Sequence, residues 1–334
     1  MNVVKNKVFV SVVIVNYNSR HLLGKCVDSL LLQTFREWEA IIVDNGSRDD
    51  SLLMARTDDS RIKVVRCGQN LGFAAANNHG ISLARGEWIA TLNPDAFPEA
   101  DWLEKLVDAT VRYPDILFFG STQLQADNPE IIDGAGDCYH ALGIPWRGGF
   151  GQPLTSLPPE GEVFGPCAAA AMYSASALNR VGGFDESFFC YCEDIDLAFR
   201  LRLLGERCIQ VAGAVVHHQG SAISGAESFF TLFHSSRNRL WTFVKNMPGP
   251  LLVVLLPWHI AATCYLLFRF RNAARFKPQR DGLIAGFLGL WRILKDRRKV
   301  QTQRRINSLR CALALTWSMD ALRQRRPDIR TYKK

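Results

Sequence analysis

The tripeptide Asn93-Pro94-Asp95 directly follows a short apolar run and offers the clearest chemistry in the sequence. A carboxylate at the edge of a sheet can hold a divalent cation against a diphosphate, because Mg²⁺ prefers one or two carboxylates together with phosphate oxygens. The same three residues are also a strong turn signal. The tripeptide alone therefore leaves a metal site and an ordinary turn both open.

A second acidic group, Glu193, Asp194 and Asp196, begins a segment with helical periodicity. A carboxylate within hydrogen-bond reach of a hydroxyl can remove its proton as that hydroxyl attacks. Neighbouring carboxylates would raise the proton affinity of such a base through like-charge repulsion. Acidic residues at a helix N-terminus also interact favourably with the helix dipole. The residues alone do not separate these two interpretations.

The elements that would position these groups alternate between strand and helix over the first hundred residues. Apolar runs predict strands at 8–15, 39–44, 62–65 and 88–92, and helical spacing predicts helices at 21–33, 49–55 and 73–84. Such alternation predicts a parallel sheet that is covered on both faces. Ligands bind beyond the carboxyl ends of strands in these sheets, which here means residues 16–18, 44–47 and 93–95.

The remaining chain is less regular. Residues 120–165 are rich in Gly, Pro and polar residues and predict loops or short strands. Residues 194–204 predict a helix that stops at Gly205.

A series of ordered motifs gives this chain a family resemblance. They occupy residues 12–18, 41–47, 70–77, 93–95, 182–186, 193–197 and 217–221. The series resembles inverting family 2 glycosyltransferases, especially the rhamnosyltransferase-like branch, over about residues 9–245. The resemblance implies an α/β fold of the GT-A type, with a mostly parallel, Rossmann-like sheet flanked by helices.

The resemblance also implies a donor site at the strand ends. Asp44 resembles the carboxylate that accepts a hydrogen bond from N3–H of uracil or thymine, which implies a dTDP- or UDP-sugar. Asn16 and Asn93 are also expected to bind the donor. Asn70 and Asn77 lie where the family contacts the ribose and phosphates, although each could instead cap the helix between them.

Asp95 matches the last position of the family's D-x-D motif and is expected to be the main ligand of Mg²⁺ or Mn²⁺. Asn93 replaces the first aspartate of that motif, which is usual in the rhamnosyltransferase-like branch. His218 resembles a late histidine that joins the metal site, with His217 as a competitor one residue earlier.

The family context assigns Asp194 the role of general base toward the acceptor hydroxyl. Arg237 lies where processive relatives carry Q-x-x-R-W, and it is expected to neutralise diphosphate charge. His234 and Asn238 replace the Gln and Trp of that motif, which argues against chain polymerisation.

Charge is distributed unevenly along the 334 residues. Residues 1–268 contain 21 Lys and Arg against 28 Asp and Glu, whereas residues 269–334 contain 19 against 4. Residues 246–268 contain none of these four residue types. A basic segment beside an apolar one favours an anionic membrane surface over nucleic acid, which offers no role for the apolar run. Three prolines in that run favour interfacial or re-entrant helices over a bilayer crossing.

Taken together, the sequence predicts a catalytic domain at residues 1–245 and a membrane-associating helical region at 246–334. The enzyme would lie at the cytoplasmic face of the plasma membrane, peripheral or monotopic. It would move a sugar from a nucleotide diphosphate to a polyprenyl-diphosphate-linked saccharide, with inversion, in cell-surface polysaccharide synthesis. Two alternatives are a nucleotidyltransferase on the same fold and a non-catalytic membrane scaffold.

Overall fold

The computed structural model describes residues 8–220, 225, 227–269, 271 and 273–333. The last residue of the predicted 217–221 motif lies outside these ranges. The strands of the described chain are β1 Val10–Asn16, β2 Trp38–Asp44, β3 Ile62–Arg66, β4 Trp88–Leu92, β5 Ala96–Pro98, β6 Phe118–Gln125, β7 Asn128–Ala135, β8 Asp137–His140, β9 Ile144–Arg147, β10 Gly161–Val163, β11 Ala170–Ser174 and β12 Cys208–His218. The helices are α1 Leu22–Leu31, α2 Ser51–Met54, α3 Phe73–Leu83, α4 Trp102–Arg112, α5 Ala175–Val181, α6 Glu193–Leu203, α7 Phe229–Asn246, α8 Gly249–Arg269, α9 Phe276–Leu288, α10 Leu290–Gln303, α11 Ser308–Ala314 and α12 Met319–Gln324.

Ten of the described strands form one sheet in the order β10-β12-β6-β11-β4-β1-β2-β3, with β5 paired to β12 and β7 paired to β6. Strands β3, β2, β1 and β4 run parallel, as predicted, and β11 then pairs antiparallel with β4 and β6. Parallel pairing brings Asn16 beside Asp44 at the carboxyl edge of the sheet.

Both faces of the parallel strands are buried, which explains why they appear in the sequence as continuous apolar runs. Val13 and Val43 belong to one apolar cluster, whereas Ile14 and Ile42 belong to the cluster on the other face. Successive side chains along each strand point to opposite faces of the sheet, and helices cover the apolar cluster on each face. The predicted α/β fold is confirmed.

Residues 120–165 contain longer strands than expected, since β6 and β7 have eight residues each. Gly136, Gly143 and Gly149 adopt positive φ angles between or beside these strands. These glycines are therefore turn positions at strand ends, and Gly143 lies in the turn between the paired strands β8 and β9.

The C-terminal helices pack against the sheet region through buried ion pairs. Lys245 at the end of α7 donates to Asp196 of α6 at 2.9 Å and to Asp185 at 2.5 Å. Arg200 and Asn246 donate to the same Asp196 carboxylate at 2.7 and 2.8 Å. Because Asp196 accepts from cationic and amide donors of both helices, it supports the α6–α7 junction.

The last described residues extend one edge of the sheet. Glu162 of β10 exchanges two backbone hydrogen bonds with Arg330, at 2.7 and 2.8 Å. Thr316 forms a further backbone bridge with His140 of β8. The division of the chain at residue 245 remains a prediction.

Helix α8 is the one described helix that is long and apolar enough to cross a bilayer. Only 11% of its most apolar 18-residue window is buried against the rest of the described protein. Its exposed apolar side chains include Val253, Val254 and Trp258, which are 74%, 64% and 64% exposed.

Candidate active site

A cavity of about 1140 Å³ opens beyond the carboxyl ends of β1 and β4. Its wall combines the loops after these strands with residues from α7, α9 and the segment after α12. Of the residues predicted to form the site, Asn70, Asn93, Asp95, Asp194 and His218 line this cavity. Asn16, Asp44, Asn77 and Arg237 are not among its lining residues.

Asp95 and His218 meet because β5 pairs antiparallel with the end of β12, which places His218 opposite Ala96. His218 Nε2 lies 3.4 Å from Asp95 Oδ1, and both side chains are almost fully buried. His217 points elsewhere, with its Nε2 3.2 Å from Glu99 Oε1. The geometry therefore favours His218 over His217 as a partner of Asp95.

Asp133 of β7 orients the imidazole from its other side. His218 Nδ1 lies 2.7 Å from Asp133 Oδ2, and Arg147 pairs with the same carboxylate. Burial opposes protonation of His218, but the adjacent carboxylates of Asp133 and Asp95 outweigh it and raise the pKa of His218 to about 9. A carboxylate that holds the distal nitrogen of a histidine is typical of metal ligation.

The Asp95–His218 pair fits a divalent cation. His218 Nε2 is buried and forms no hydrogen bond of ordinary geometry with the described residues. One carboxylate oxygen and one imidazole nitrogen leave several coordination positions for phosphate oxygens and water, which suits Mg²⁺ or Mn²⁺.

Asp194 lies at the first turn of α6 and faces the cavity. Its carboxylate accepts hydrogen bonds from the N–H groups of Ile195 at 2.8 Å and Ala168 at 3.3 Å. Burial raises the pKa of the Asp194 carboxyl, and these two hydrogen bonds oppose the increase.

A second carboxyl, Asp137, adjoins Asp194. Side-chain atoms of Asp137, Asp194 and Cys167 lie within 4.8 Å of one another. Burial, and then the nearby Asp194 charge, raise the pKa of Asp137 well above its ordinary value. Ionisation of Asp194 therefore favours the protonated form of the adjacent Asp137, an arrangement that suits Asp194 as the base.

The loop of residues 188–192, which precedes Asp194 and positions it at the cavity, has a strained backbone. Phe189, Tyr191 and Cys192 have φ angles of 65°, 71° and 62°, a region that residues other than glycine rarely adopt. The buried amide of Asn238 donates to the carbonyl oxygens of three loop residues at 2.7 to 2.9 Å, namely Phe188, Cys190 and Tyr191.

Arg237 stabilises the same loop instead of reaching the cavity. Its guanidinium donates to the carbonyl oxygen of Phe188 at 2.8 Å and lies over the Trp241 ring. The contacts of Arg237 thus differ from the expected contact with a diphosphate. Two residues further along α7, Arg239 lines the cavity, and the sequence did not single it out.

At the donor edge, Asn16 and Asp44 form a buried network beneath the cavity. The Asn16 amide donates to Asp44 Oδ1 at 3.2 Å and to Ser51 Oγ at 2.9 Å. Asn77 is also buried, and its amide donates to the Phe73 carbonyl within α3 at 2.9 Å. Direct contacts of these three residues with a donor remain predictions.

Asn45 and Asn70 lie closer to the cavity. Asn45 donates to Asn70 Oδ1 at 3.0 Å and accepts from the Leu71 N–H at 2.8 Å. Asn70 also accepts from the N–H of Gly72, a residue with a φ of 84° at which a Cβ would collide with Phe189. Gly72 therefore allows the donor-side loop to approach the loop of residues 188–192.

Sequence motifs missed two acidic residues that lie in or beside the cavity. Asp133 and Asp137 lie in the region that looked like loop, and no short motif marks them. Their spacing of four residues within a Gly-rich segment gave no signal of chemistry.

A model of glycosyl transferase family 2 matches residues 11–182, which is more than half of the chain. The chain belongs to glycosyl transferase family 2. This glycosyltransferase is 30% identical over 236 residues to an N-acetylglucosaminyl-diphospho-decaprenol L-rhamnosyltransferase of Mycobacterium tuberculosis, covering 62% of this chain and 75% of that protein. It is 28% identical over 232 residues to the O-antigen biosynthesis protein RfbC of Myxococcus xanthus, covering 64% of this chain and 17% of that protein.

Solved structures share the fold of this glycosyltransferase. A mannosyltransferase from Pyrobaculum calidifontis, in complex with GDP-Man and Mn²⁺, matches with a TM-score of 0.55 and 16% identity over 92% of this chain and 86% of that chain. GalNAc-T7 with UDP, GalNAc and Mn²⁺ matches with a TM-score of 0.56 and 17% identity, over 72% of this chain and 49% of that chain. The predicted family and enzyme class are confirmed.

Asp133→Asn should weaken metal binding, because the neutral amide no longer fixes the imidazole of His218 with a charged acceptor. We expect the Mn²⁺ concentration for half-maximal activity to rise about 10- to 100-fold. Mn²⁺ binding measured by electron paramagnetic resonance should weaken in parallel. Asp127→Asn, at an exposed turn between β6 and β7, is the control. An unchanged Mn²⁺ affinity in Asp133→Asn would show that the carboxylate is not needed.

Asp194→Asn should reduce kcat at least about 10²-fold, the lower end of general-base contributions. The working form of the base is ionised, so activity should fall as pH falls through its pKa. Because burial raises that pKa, the acid limb should lie above about 3.9, the ordinary value for aspartate. Asp115→Asn, at an exposed position, should match the wild type. Loss of nucleotide-sugar binding in Asp194→Asn would assign the residue to the donor site instead.

Asn238→Ala should allow the loop of residues 188–192 to relax and displace Asp194. A displacement of about 1 Å can reduce kcat about 10²-fold, whereas donor affinity should change less than about twofold, since the donor-edge contacts remain. Thr242→Val removes a buried hydroxyl one turn away, whose bond goes to the Asn238 carbonyl and not to the loop. Wild-type kcat in Asn238→Ala at a temperature where it stays folded would contradict the positioning role.

Proposed function

We propose that this glycosyltransferase transfers a hexose, with rhamnose as the first candidate, from a dTDP- or UDP-sugar to a polyprenyl-diphosphate-linked saccharide during cell-surface polysaccharide synthesis. The observation that carries the proposal is one cavity lined by both the Asp95–His218 pair and Asp194. The M. tuberculosis relative, whose name specifies a diphospho-decaprenol acceptor and a rhamnosyl group, supports the substrate class.

The proposed reaction is a single displacement with inversion. Asp194 accepts the proton of the acceptor hydroxyl as its oxygen bonds to the anomeric carbon. The bond from that carbon to the diphosphate oxygen breaks at the same time, and the nucleoside diphosphate leaves with the electron pair. A bound Mg²⁺ or Mn²⁺ at Asp95 and His218 would neutralise charge on the departing diphosphate.

We also propose that the enzyme associates with the cytoplasmic face of the plasma membrane. Helix α8 exposes its apolar side chains, because little of the helix is buried against the rest of the described protein. Trp291 of α10 and Trp317 are 63% and 54% exposed, and the segment from 269 onward is strongly basic. Exposed tryptophans beside basic residues suit a peripheral or monotopic helix at an anionic membrane surface.

The function is tested by incubating the full-length enzyme with one donor in each reaction. The donors are dTDP-rhamnose, UDP-glucose, UDP-galactose, UDP-N-acetylglucosamine and GDP-mannose. Each reaction contains a polyprenyl-diphosphate-linked N-acetylglucosamine, and lipid products are read by mass spectrometry. We expect one dTDP- or UDP-sugar to extend the lipid and Asp95→Asn to abolish the product. Transfer from GDP-mannose alone would contradict the proposed donor class. Pyrophosphate release from a sugar phosphate and a nucleoside triphosphate would instead indicate a nucleotidyltransferase.

Membrane association is tested by sedimentation with vesicles of phosphatidylcholine and phosphatidylglycerol. Val254→Asp should weaken binding at least about tenfold, since a carboxylate in a membrane-facing helix costs about 2.5–3.5 kcal/mol. Val111→Asp is the matched control, because Val111 on α4 is also exposed, at 77%, and lies outside the apolar segment. Equal binding of the two variants would place the membrane contact elsewhere.

A further inference from the structure

Arg239 is a cation of the cavity wall that lacks an anionic partner. Its Nη2 donates to Thr263 Oγ1 of α8 at 3.2 Å, and its buried Nε has no hydrogen-bond partner among the described residues. No ion pair joins Arg239 to any Asp or Glu that the structure describes. The residues outside the described ranges contain no Asp or Glu side chain.

Two other arginines of the same cavity have carboxylate partners, whereas Arg325 is exposed to solvent and lies over the Phe150 ring. Arg147 pairs with Asp133, and Arg275 pairs with Glu227. A buried guanidinium normally acquires such a partner, because leaving its charge uncompensated in a poorly solvated site is costly. Arg239 therefore has neither the carboxylate partner of Arg147 and Arg275 nor the solvent exposure of Arg325, which favours an anionic ligand.

The surroundings of Arg239 supply neutral groups. Its electrostatic neighbours include Cys192, Tyr139 and His259. The Tyr139 hydroxyl is buried without a hydrogen-bond partner in the described structure. Burial, together with the Arg239 charge, lowers the pKa of His259 to about 4, so this imidazole is neutral at physiological pH. Arginine itself stays charged there.

The position of Arg239 separates it from the Asp95–His218 pair. Arg239 contacts α8, the exposed apolar helix, and adjoins Cys192 immediately before the helix that carries Asp194. Asp95 and His218 instead group with Asp133 at the strand edge. The cavity thus contains two places where an anion could bind. One is the Asp95–His218 pair, through a bound cation, and the other is the Arg239 guanidinium beside the apolar helix α8.

We propose that Arg239 binds a phosphate of the acceptor's prenyl diphosphate, which holds the lipid-linked saccharide while Asp194 acts on its hydroxyl. The guanidinium fork matches phosphate oxygens with two parallel hydrogen bonds. This inference rests on the proposed acceptor class. The same chemistry would also suit the diphosphate of the donor, so the experiment separates the two sources.

The test compares two acceptors in the full-length enzyme, a short prenyl-diphosphate-linked saccharide and the same saccharide on an uncharged octyl group. Arg239→Gln should raise KM for the diphosphate acceptor at least about tenfold, as expected for loss of a buried charge contact. Its KM for the nucleotide sugar and its kcat/KM for the octyl acceptor should change less than about twofold. Arg239→Lys should recover part of the loss, because it keeps the charge. Arg56→Gln, whose side chain is 72% exposed, is the matched control.

Two results would overturn the proposal. A rise in the KM for the nucleotide sugar as large as that for the acceptor would assign Arg239 to the donor diphosphate. An equal loss with both acceptors would make Arg239 a structural residue.

A second measurement uses the wild type and does not depend on folding of a variant. In excess chelator, farnesyl diphosphate should raise the melting temperature clearly more than farnesol does, and equal shifts would overturn the anion site. If neither saccharide acceptor is extended while farnesyl diphosphate still stabilises the protein, the proposed function fails and the anion site stands.

Discussion

The side-chain amide of Asn238 donates to carbonyl oxygens of a loop whose backbone is strained at Phe189, Tyr191 and Cys192. Each positive φ angle costs about 1–3 kcal/mol and persists only when its surroundings determine it. Here the surroundings are a buried amide and the neighbouring guanidinium of Arg237. The direction of Asp194 therefore depends on a helix that follows the family-matched residues 11–182 in sequence.

That helix is in turn fixed by charge. Lys245 at the end of α7 lies between Asp185 and Asp196, and Asp196 also accepts from Arg200 and Asn246. Asp185 precedes the strained loop and Asp196 follows Asp194 by two residues. The two carboxylates thus bracket the loop, and a single buried ammonium group joins them. Loop geometry, helix position and the candidate base form one connected unit.

The sequence predicted the parallel half of the sheet well, because strands buried on both faces must be apolar along their whole length. The resemblance to family 2 glycosyltransferases predicted Asp95, His218 and Asp194 as residues of one site, and all three line the cavity. The sequence could not predict that Arg239 lines the cavity and Arg237 does not. Residues two apart on a helix face different directions, and periodicity does not show which of them faces the cavity. Asp133 and Asp137 were missed for another reason. Their strands contain Gly134 and flank Gly136 in a segment without a clear apolar pattern, and burial of their carboxyls arises only from tertiary packing.

The backbone pairing between Glu162 and Arg330 has a consequence for how the protein is made. Strand β10 lies at one end of the sheet order, and an exposed edge strand can pair with other chains. Its partner is separated from it by more than 160 residues. At translation rates of about 5–20 residues per second, the edge would wait roughly 10–30 s for that partner to be synthesised. During this interval the nascent chain carries an uncapped strand, and its protection depends on the ribosome and chaperones more than on its own fold.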